Sequence, residues 1–202
     1  AWLEMIGDAR KSIFCAFYDL EREEIAEALV RRFADGIAVA VVSDTDYAGR
    51  GAVMRCIQAG IPVVFDERSS LMHNKFCVVD GAQIWTGSTN MTNNCLYLNN
   101  NNALWICSEE LAKNFTTEFE EMFSGKRFGA ASPVNTPYPE VMVGATRLEC
   151  YFAPEDGVEK AVLARLNEAR ERIDFMAFVF TSEPISKVMI KELDEGKGKG
   201  KY

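Results

Sequence analysis

Short apolar runs alternate with amphipathic segments along the first half of the chain, and this alternation constrains the fold more than any other feature. Runs typical of buried strands lie at residues 12–18, 37–42, 61–65, 75–79, 83–86 and 103–107. Amphipathic stretches lie at 23–33 and 52–59, and a third carries Leu111, Phe115, Phe119 and Met122 at helical spacing. This order predicts an α/β fold in which helices pack on the faces of a mixed sheet.

The composition limits the classes of function that the chain can serve. It has 202 residues, is 48% hydrophobic and contains no apolar run of membrane-spanning length, which predicts a globular protein without a transmembrane segment. A net charge of −8 argues against broad coating of nucleic acid but leaves room for a locally basic cleft. The six cysteines are dispersed and there is one histidine, so we expect reduced thiols, no metal site and a cytoplasmic location.

The end of the chain resembles its beginning at a constant offset (169 − 9 = 160), with residues 9–13 matching 169–173. The apolar matches and the closing pair are Ile6 with Leu166, Tyr18 with Phe178, Ile25 with Ile185, and Asp35-Gly36 with Glu195-Gly196. We therefore predict one complete repeat at 1–128, a linker at 129–147 and an incomplete second repeat at 148–202. Because the chain also begins without Met, both ends are expected to be truncated. Chance similarity of two strand–helix units is the alternative.

Six polar or small residues stand out within the strand pattern: His73, Lys75, Asp80, Gly87, Ser88 and Asn90. His73 and Lys75 face the same side of an extended strand, because side chains alternate with period two. Asp80-Gly81 predicts a hairpin that returns the Gly-Ser-x-Asn segment beside the histidine. An ammonium, a hydroxyl and an amide can bind phosphate oxygens while a neutral imidazole attacks phosphorus. On the residues alone, a purely structural histidine remains an open alternative.

The spacing His-x-Lys-x4-Asp-x6-Gly-Ser-x-Asn resembles the signature of the phospholipase D superfamily, and the likeness extends from about residue 2 to residue 123. The resemblance implies a phospholipase D-like mixed sheet flanked by helices, with one complete repeat and the start of a second. It also implies a phosphodiesterase that needs no metal or other cofactor and acts on a phospholipid or a nucleic acid. Superfamily members pair two such motifs, so the second would come from a missing C-terminal repeat or a homodimer partner.

The same resemblance assigns roles to the motif residues. His73 would form a phosphohistidine, or would protonate the leaving oxygen while its counterpart attacks phosphorus. Lys75, Ser88 and Asn90 would bind the phosphate. Asp80 completes the catalytic motif, in which its role would be structural, at the hairpin.

One position departs from the family pattern. Related dimeric nucleases carry a glutamate that hydrogen-bonds the histidine, and Asn101 is expected at that place. An amide orients the ring but stabilises an imidazolium less well, so either another acid substitutes or activity is lower. Together with the missing second motif, Asn101 leaves an alternative open: a catalytically weak or inactive binding module for nucleic acid or membrane.

Two further segments lie near the motif. Asp44 and Asp46 follow a predicted strand and are interpreted as a turn rather than as part of a cleft. Leu96-Tyr97-Leu98 is predicted to pack in the core rather than to contact lipid.

Overall fold

The computed structural model describes residues 1–194, in two compact units: Ala1–Cys150 and the part from Tyr151 onward. The first unit contains, in chain order, α1 (Trp2–Gly7), β1 (Ser12–Phe17), α2 (Glu23–Ala34), β2 (Ala38–Ser43), a 3-10 helix (Thr45–Tyr47), α3 (Gly51–Gln58), β3 (Val63–Phe65), β4 (Lys75–Val79), β5 (Gln83–Gly87), α4 (Asn93–Tyr97), β6 (Ala103–Cys107), α5 (Glu109–Phe123), a second 3-10 helix (Gly129–Ala131), β7 (Glu140–Val143) and β8 (Thr146–Glu149). The second unit contains α6 (Val158–Asn167) and α7 (Glu183–Asp194). Within residues 1–194, every helix is too short or too polar to cross a membrane.

Six strands of the first unit form one sheet in the spatial order β3-β2-β1-β4-β5-β6. β1, β2 and β3 are parallel, whereas β4, β5 and β6 each run antiparallel to the preceding strand in the sheet. Pairing therefore changes from parallel to antiparallel at β1. As a result, the carboxyl end of β1 meets the amino end of β4, where Phe17 pairs with Lys75. The predicted mixed α/β sheet flanked by helices is confirmed.

The two faces of the sheet are covered by different helices, because side chains along β1 alternate between the faces. Ile13, Cys15 and Phe17 pack with residues of α1, α2 and α3 in the main core. Phe14 faces α5, where its ring stacks on Phe119 with the centroids 5.1 Å apart. The residues that predicted this helix are all buried: Leu111, Phe115, Phe119 and Met122. Each buried side chain of this size contributes about 1.5–3 kcal/mol, so both layers anchor the sheet below the site.

A tight turn joins β4 to β5, as the Asp-Gly pair predicts. Asp80 and Gly81 have φ angles of +56° and +65°, and a type I′ turn requires positive φ at both central positions. The Ala82 N–H closes the turn by donating to the Val79 carbonyl oxygen at 3.1 Å. The turn fixes the register of the two strands and returns β5 beside the start of β4.

Residues 124–149 contain more structure than the sequence pattern indicates. β7 and β8 form a two-stranded antiparallel hairpin. Just before it, the Tyr138 N–H donates to the Asn114 Oδ1 at 2.8 Å, and Asn114 Nδ2 donates to the Tyr138 carbonyl oxygen at 2.7 Å. Because Asn114 is a fully buried residue of α5, these bonds tie the segment predicted as a linker, 129–147, to the first unit, which extends to Cys150.

The second unit is described up to Asp194. α7 begins at Glu183, which lies 160 positions after Glu23, the first residue of α2 (183 − 23 = 160). The counterpart of β1, residues 172–177, forms no strand within 151–194, and the neighbouring Phe178 is fully exposed. A second repeat at 148–202 therefore stays a prediction, and the matched pair Glu195-Gly196 lies outside the described residues.

Candidate active site

The histidine and lysine of the motif lie where the carboxyl end of β1 meets the amino end of β4. Lys75 is the first residue of β4, and His73 lies two residues earlier, at the end of the preceding loop. The Tyr18 N–H, directly after β1, donates to the Asn74 carbonyl oxygen at 3.0 Å. This bond continues the pairing of the two strands and holds the His73 loop against the end of β1.

Tyr18 brings the imidazole and the ammonium together on one aromatic ring. The His73 ring packs edge-on against Tyr18, with the centroids 4.8 Å apart and an interplanar angle of 67°. Lys75 Nζ lies 5.2 Å from the centroid of the same ring, within the range of a cation–π interaction. Lys75 Nζ also donates to the His73 carbonyl oxygen at 2.8 Å. The structure thus brings the two motif side chains together, and Tyr18 is a site residue that the motif does not reveal.

Loss of hydration sets the charge state of both groups. Lys75 is 8% exposed, and its burial lowers the pKa of its ammonium to about 8, with the nearby Cys95 thiol acting in the opposite direction. His73 stays exposed to solvent, but partial desolvation and the Lys75 charge lower the pKa of its imidazole, against the effect of the Asp44 carboxylate. At neutral pH the imidazole is therefore mainly neutral, and a ring nitrogen has a lone pair for attack.

The return strand β5 ends at Gly87, and the segment after it carries Ser88 and Asn90. A Cβ atom at position 87 would clash with the Asn102 carbonyl oxygen, so only glycine fits there. Ser88 Oγ donates to Asn101 Oδ1 at 3.0 Å and accepts from the Asn102 N–H at 3.1 Å. The Asn90 side chain is partly buried, and its Oδ1 has no hydrogen-bond partner within residues 1–194. This oxygen can accept a hydrogen bond from a ligand, whereas a phosphate oxygen would need the Asn90 Nδ2 as its donor.

Asn101 is directed to Ser88 and not to the imidazole. Its Oδ1 accepts the Ser88 hydroxyl, and its Nδ2 donates to the Cys95 carbonyl oxygen at 3.0 Å. Both ends of the amide are engaged, so the orienting contact with His73 that the resemblance implies is absent from the described chain. Asn101 instead orients Ser88.

Asp80 lies at the opposite end of β4 from Lys75. Its carboxylate accepts three backbone N–H groups, from Arg10 at 2.8 Å, Lys11 at 2.7 Å and Ser12 at 2.9 Å. Burial acts to raise the pKa of Asp80, but these bonds to the charged form outweigh it, and the pKa is lowered. Asp80 thus fastens the start of β1 to the end of β4. It lies at the end of β4 that is remote from the imidazole.

Asp44 is a second residue near the site that the motif does not reveal. It follows β2, is 2% exposed, and accepts the Asp46 N–H on Oδ1 at 2.9 Å, which agrees with the turn interpretation. Its Oδ2 accepts the Met72 N–H at 2.7 Å, so the same carboxylate also reaches the loop that carries His73.

The apolar triplet beside the motif is exposed rather than packed in the core. Leu96, Tyr97 and Leu98 are 37%, 66% and 71% exposed. The prediction of core packing for these residues is therefore wrong. They lie on and after the short helix α4, where five residues offer too little length for a buried face.

Comparison with known proteins places this site in a family. The model of the family described as "Cardiolipin synthase, PLD-like domain" matches residues 2–123. Mitochondrial cardiolipin hydrolases are among the relatives: that of Xenopus tropicalis is 32% identical over 117 residues, and that of Chlamydomonas reinhardtii is 27% identical over 124 residues. These matches cover 57% and 60% of this chain, and 56% of each relative. The chain thus spans little more than half the length of these relatives.

Solved structures agree with this assignment. The crystal structure of Nuc from Salmonella typhimurium, a phospholipase D family member, superposes with a TM-score of 0.57 at 28% identity, over 60% of this chain and 84% of that one. NucT from Helicobacter pylori has a TM-score of 0.54 at 19% identity with the same coverage, a likeness of fold alone. Since the family match spans more than half of the sequence and includes the whole His73–Asn90 segment, the chain belongs to the phospholipase D-like family.

Proposed function

We propose that this chain hydrolyses phosphodiesters without a metal ion, through a phosphohistidine formed on His73. The observation that carries the proposal is the contact of one imidazole and one buried ammonium with the same Tyr18 ring. An ammonium held in place can neutralise a phosphate oxygen while the neighbouring neutral imidazole attacks phosphorus.

The reaction proceeds in two steps. First, a ring nitrogen of His73 forms a bond to phosphorus, the bond from phosphorus to the leaving oxygen breaks, and that oxygen takes a proton from a second imidazole. Next, a water oxygen bonds to phosphorus, one water proton passes to the second imidazole, and the phosphorus–nitrogen bond breaks. One diester and one water are consumed, and one monoester and one alcohol are formed.

The phosphate oxygens are bound by three side chains of the motif. Lys75 supplies the charge, and the Asn90 Nδ2 group donates a hydrogen bond. Ser88 donates its hydroxyl to Asn101 in the free protein, so it turns to the substrate when a phosphate oxygen offers a more negative acceptor.

The second imidazole must come from outside the described site, because the sequence has one histidine. A homodimer partner or a second motif in a longer chain would supply it. We therefore expect poor turnover from a monomer of this chain, and turnover per chain that rises with protein concentration as dimers form. Light scattering beside the assay checks this relation, and full turnover from a demonstrated monomer would contradict it.

The substrate is a phospholipid or a nucleic acid strand. The relatives named as cardiolipin hydrolases favour a phospholipid as the first substrate to test. Cardiolipin vesicles and single-stranded DNA, assayed in parallel, separate the two.

The decisive experiment uses a generic aryl phosphodiester in the presence of EDTA. We expect His73→Asn to lower kcat by at least about 10⁴-fold, the order of loss when a nucleophile is removed. An acid quench during turnover should trap phosphate on the wild-type chain and none on the variant. If His73→Asn keeps full turnover, the nucleophile assignment is wrong. If no oligomer turns over any diester but the chain binds one, the binding-module alternative replaces the enzyme.

A further inference from the structure

We propose that Asp44 positions His73 for the reaction, supplying from the end of β2 the acid that the family pattern leads one to expect at Asn101. Asp44 acts through the Met72 amide, so it is a positioning residue rather than a catalytic one. The proposal rests on the proposed function, since His73 must be the reacting group for its position to matter.

The hydrogen bonds of Asp44 reach both the turn after β2 and the loop that carries His73. Oδ2 accepts the Met72 N–H at 2.7 Å, one residue before His73. Oδ1 accepts the Asp46 N–H at 2.9 Å, which fixes the carboxylate on its own turn. Met72 is 3% exposed, so this bond is shielded from water. A buried, charge-assisted bond of this kind fixes the backbone from which the imidazole projects.

The charge of Asp44 also reaches the ring itself. Among the groups that face His73, Lys75 of β4 disfavours the imidazolium and Asp44 favours it. Tyr18, at the end of β1, packs against the ring, and its hydroxyl is 3.3 Å from that of Tyr47 on the 3-10 helix. Cys95 of α4 acts on the pKa of Lys75. Asp44 is thus the acid whose charge acts on the imidazole from within the described chain.

The topology explains why an acid at this position can serve His73. β2, β1 and β4 are neighbours in the sheet, and the carboxyl ends of the first two lie beside the amino end of the third. Asn101 enters from β6, on the other side, and is committed to Ser88. Asp44, on the β2 side, therefore contacts the His73 loop, whereas Asn101, on the β6 side, does not.

Titration of the single histidine tests this without any assay of activity. The ring protons of His73 are the only imidazole signals of the chain, so nuclear magnetic resonance can follow them directly from pH 4 to 9. We expect Asp44→Asn to lower the pKa of His73 by about 0.5, less than the shift that a carboxylate in direct contact produces. Asp46→Asn is the matched control, because it removes an exposed carboxylate from the same turn. An equal pKa in wild type and Asp44→Asn would overturn the electrostatic part of the proposal.

Kinetics tests the positioning part. We expect Asp44→Asn to lower kcat about 10- to 100-fold with KM changed less than about threefold, because displacement of a reacting group acts on the chemical step. The acid limb of the pH profile should move to lower pH in Asp44→Asn and stay in place in Asp46→Asn. A change confined to KM, or an equal loss in both variants, would overturn the proposal.

A measurement on the wild-type chain covers the case in which Asp44→Asn does not fold. The Met72 amide should exchange its hydrogen at least about 100-fold more slowly than an unstructured amide, since it is bonded and buried. Exchange at the unstructured rate would remove the contact on which the proposal depends. Failure of the proposed function would look different: His73→Asn would keep its turnover while the effect of Asp44 on the imidazole titration persisted.

Discussion

The charged groups at the two ends of β4 differ in how well the protein solvates them. At the amino end, Lys75 is buried with one hydrogen bond to a backbone oxygen, and its pKa is lowered to about 8. At the carboxyl end, the Asp80 carboxylate accepts hydrogen bonds from three backbone N–H groups. Its pKa is lowered, which means that the fold favours the charged form. Four residues of β4, 76–79, thus separate a charge that the fold destabilises from a charge that the fold stabilises.

This difference shows how a site and its support can share one element. A buried cation that is weakly solvated by the protein gains most when an anion arrives, which suits a phosphate-binding group. A carboxylate with three donors is already satisfied and has little to offer a ligand. Substitutions at the two ends should therefore separate activity from stability.

The largest effect is expected from Lys75→Met, which removes the charge and keeps the side-chain length. We expect kcat/KM for an aryl phosphodiester to fall about 10²–10³-fold, the usual loss for one transition-state donor. The free energy of unfolding in urea should stay equal or rise, because the desolvated ammonium is gone. Lys113→Met, at an exposed position of α5, is the control for charge. A Lys75→Met variant that loses stability together with activity would break the comparison.

The same ammonium gives the wild type a pH dependence. Activity should fall as pH rises through about 8, where Lys75 loses its proton. Lys75→Arg should move this alkaline limb upward, because a guanidinium stays charged. Between about 8 and 10.5 the unfolded chain binds more protons at this residue than the folded chain, so its contribution to stability rises with pH. An unmoved alkaline limb in Lys75→Arg would assign it to another group.

A smaller effect is expected from Asp80→Asn at the other end. Loss of the charge on an acceptor of three amides should lower the free energy of unfolding by about 1–2 kcal/mol. Since the folded pKa is lowered, this stability is present above the unfolded pKa near 3.8 and is lost as pH falls through the folded value. The difference between wild type and variant should therefore shrink in acid. Asp8→Asn, at an exposed carboxylate near the same segment, is the control and should change stability by less than about 0.5 kcal/mol. If Asp80→Asn lost turnover while its free energy of unfolding stayed near that of the wild type, Asp80 would belong to the reacting groups beside His73.

Local patterns predict much of this fold. The apolar run at 75–79 and the Asp80-Gly81 pair predict the bounds of β4 and the position of its turn with single-residue accuracy. Strand alternation and positive φ angles are both determined by the residues of the segment itself. The same alternation predicts that His73 and Lys75 share one side, and the structure brings them together although His73 lies in the loop before β4. α1 and α4 escape prediction, since helices of six and five residues show too few turns for a periodic pattern.

The other site residues depend on the order of the strands. Tyr18 and Asp44 follow β1 and β2, and they meet the His73 loop because the sheet order is β2-β1-β4. The strand order depends on packing over the whole sheet, so it cannot be predicted from the spacing of motif residues in the sequence. The predicted second repeat illustrates the same point. α7 begins where the offset predicts, whereas residues 172–177 form no strand in the described part of the chain. A strand needs a neighbouring strand to satisfy its backbone hydrogen bonds, whereas a helix satisfies them within itself.

The hydrogen bond from Lys75 to the His73 carbonyl oxygen has a consequence for selectivity. One of the three ammonium hydrogens is held by that oxygen, so the other two point in fixed directions instead of sweeping a cone. A neutral ester oxygen offers the ammonium little more than the carbonyl it already has, whereas an anionic phosphate oxygen offers a stronger acceptor. If the proposed function holds, we expect Lys75 to exchange this internal bond for an anionic diester oxygen and to keep it toward the neutral oxygens of a phosphotriester.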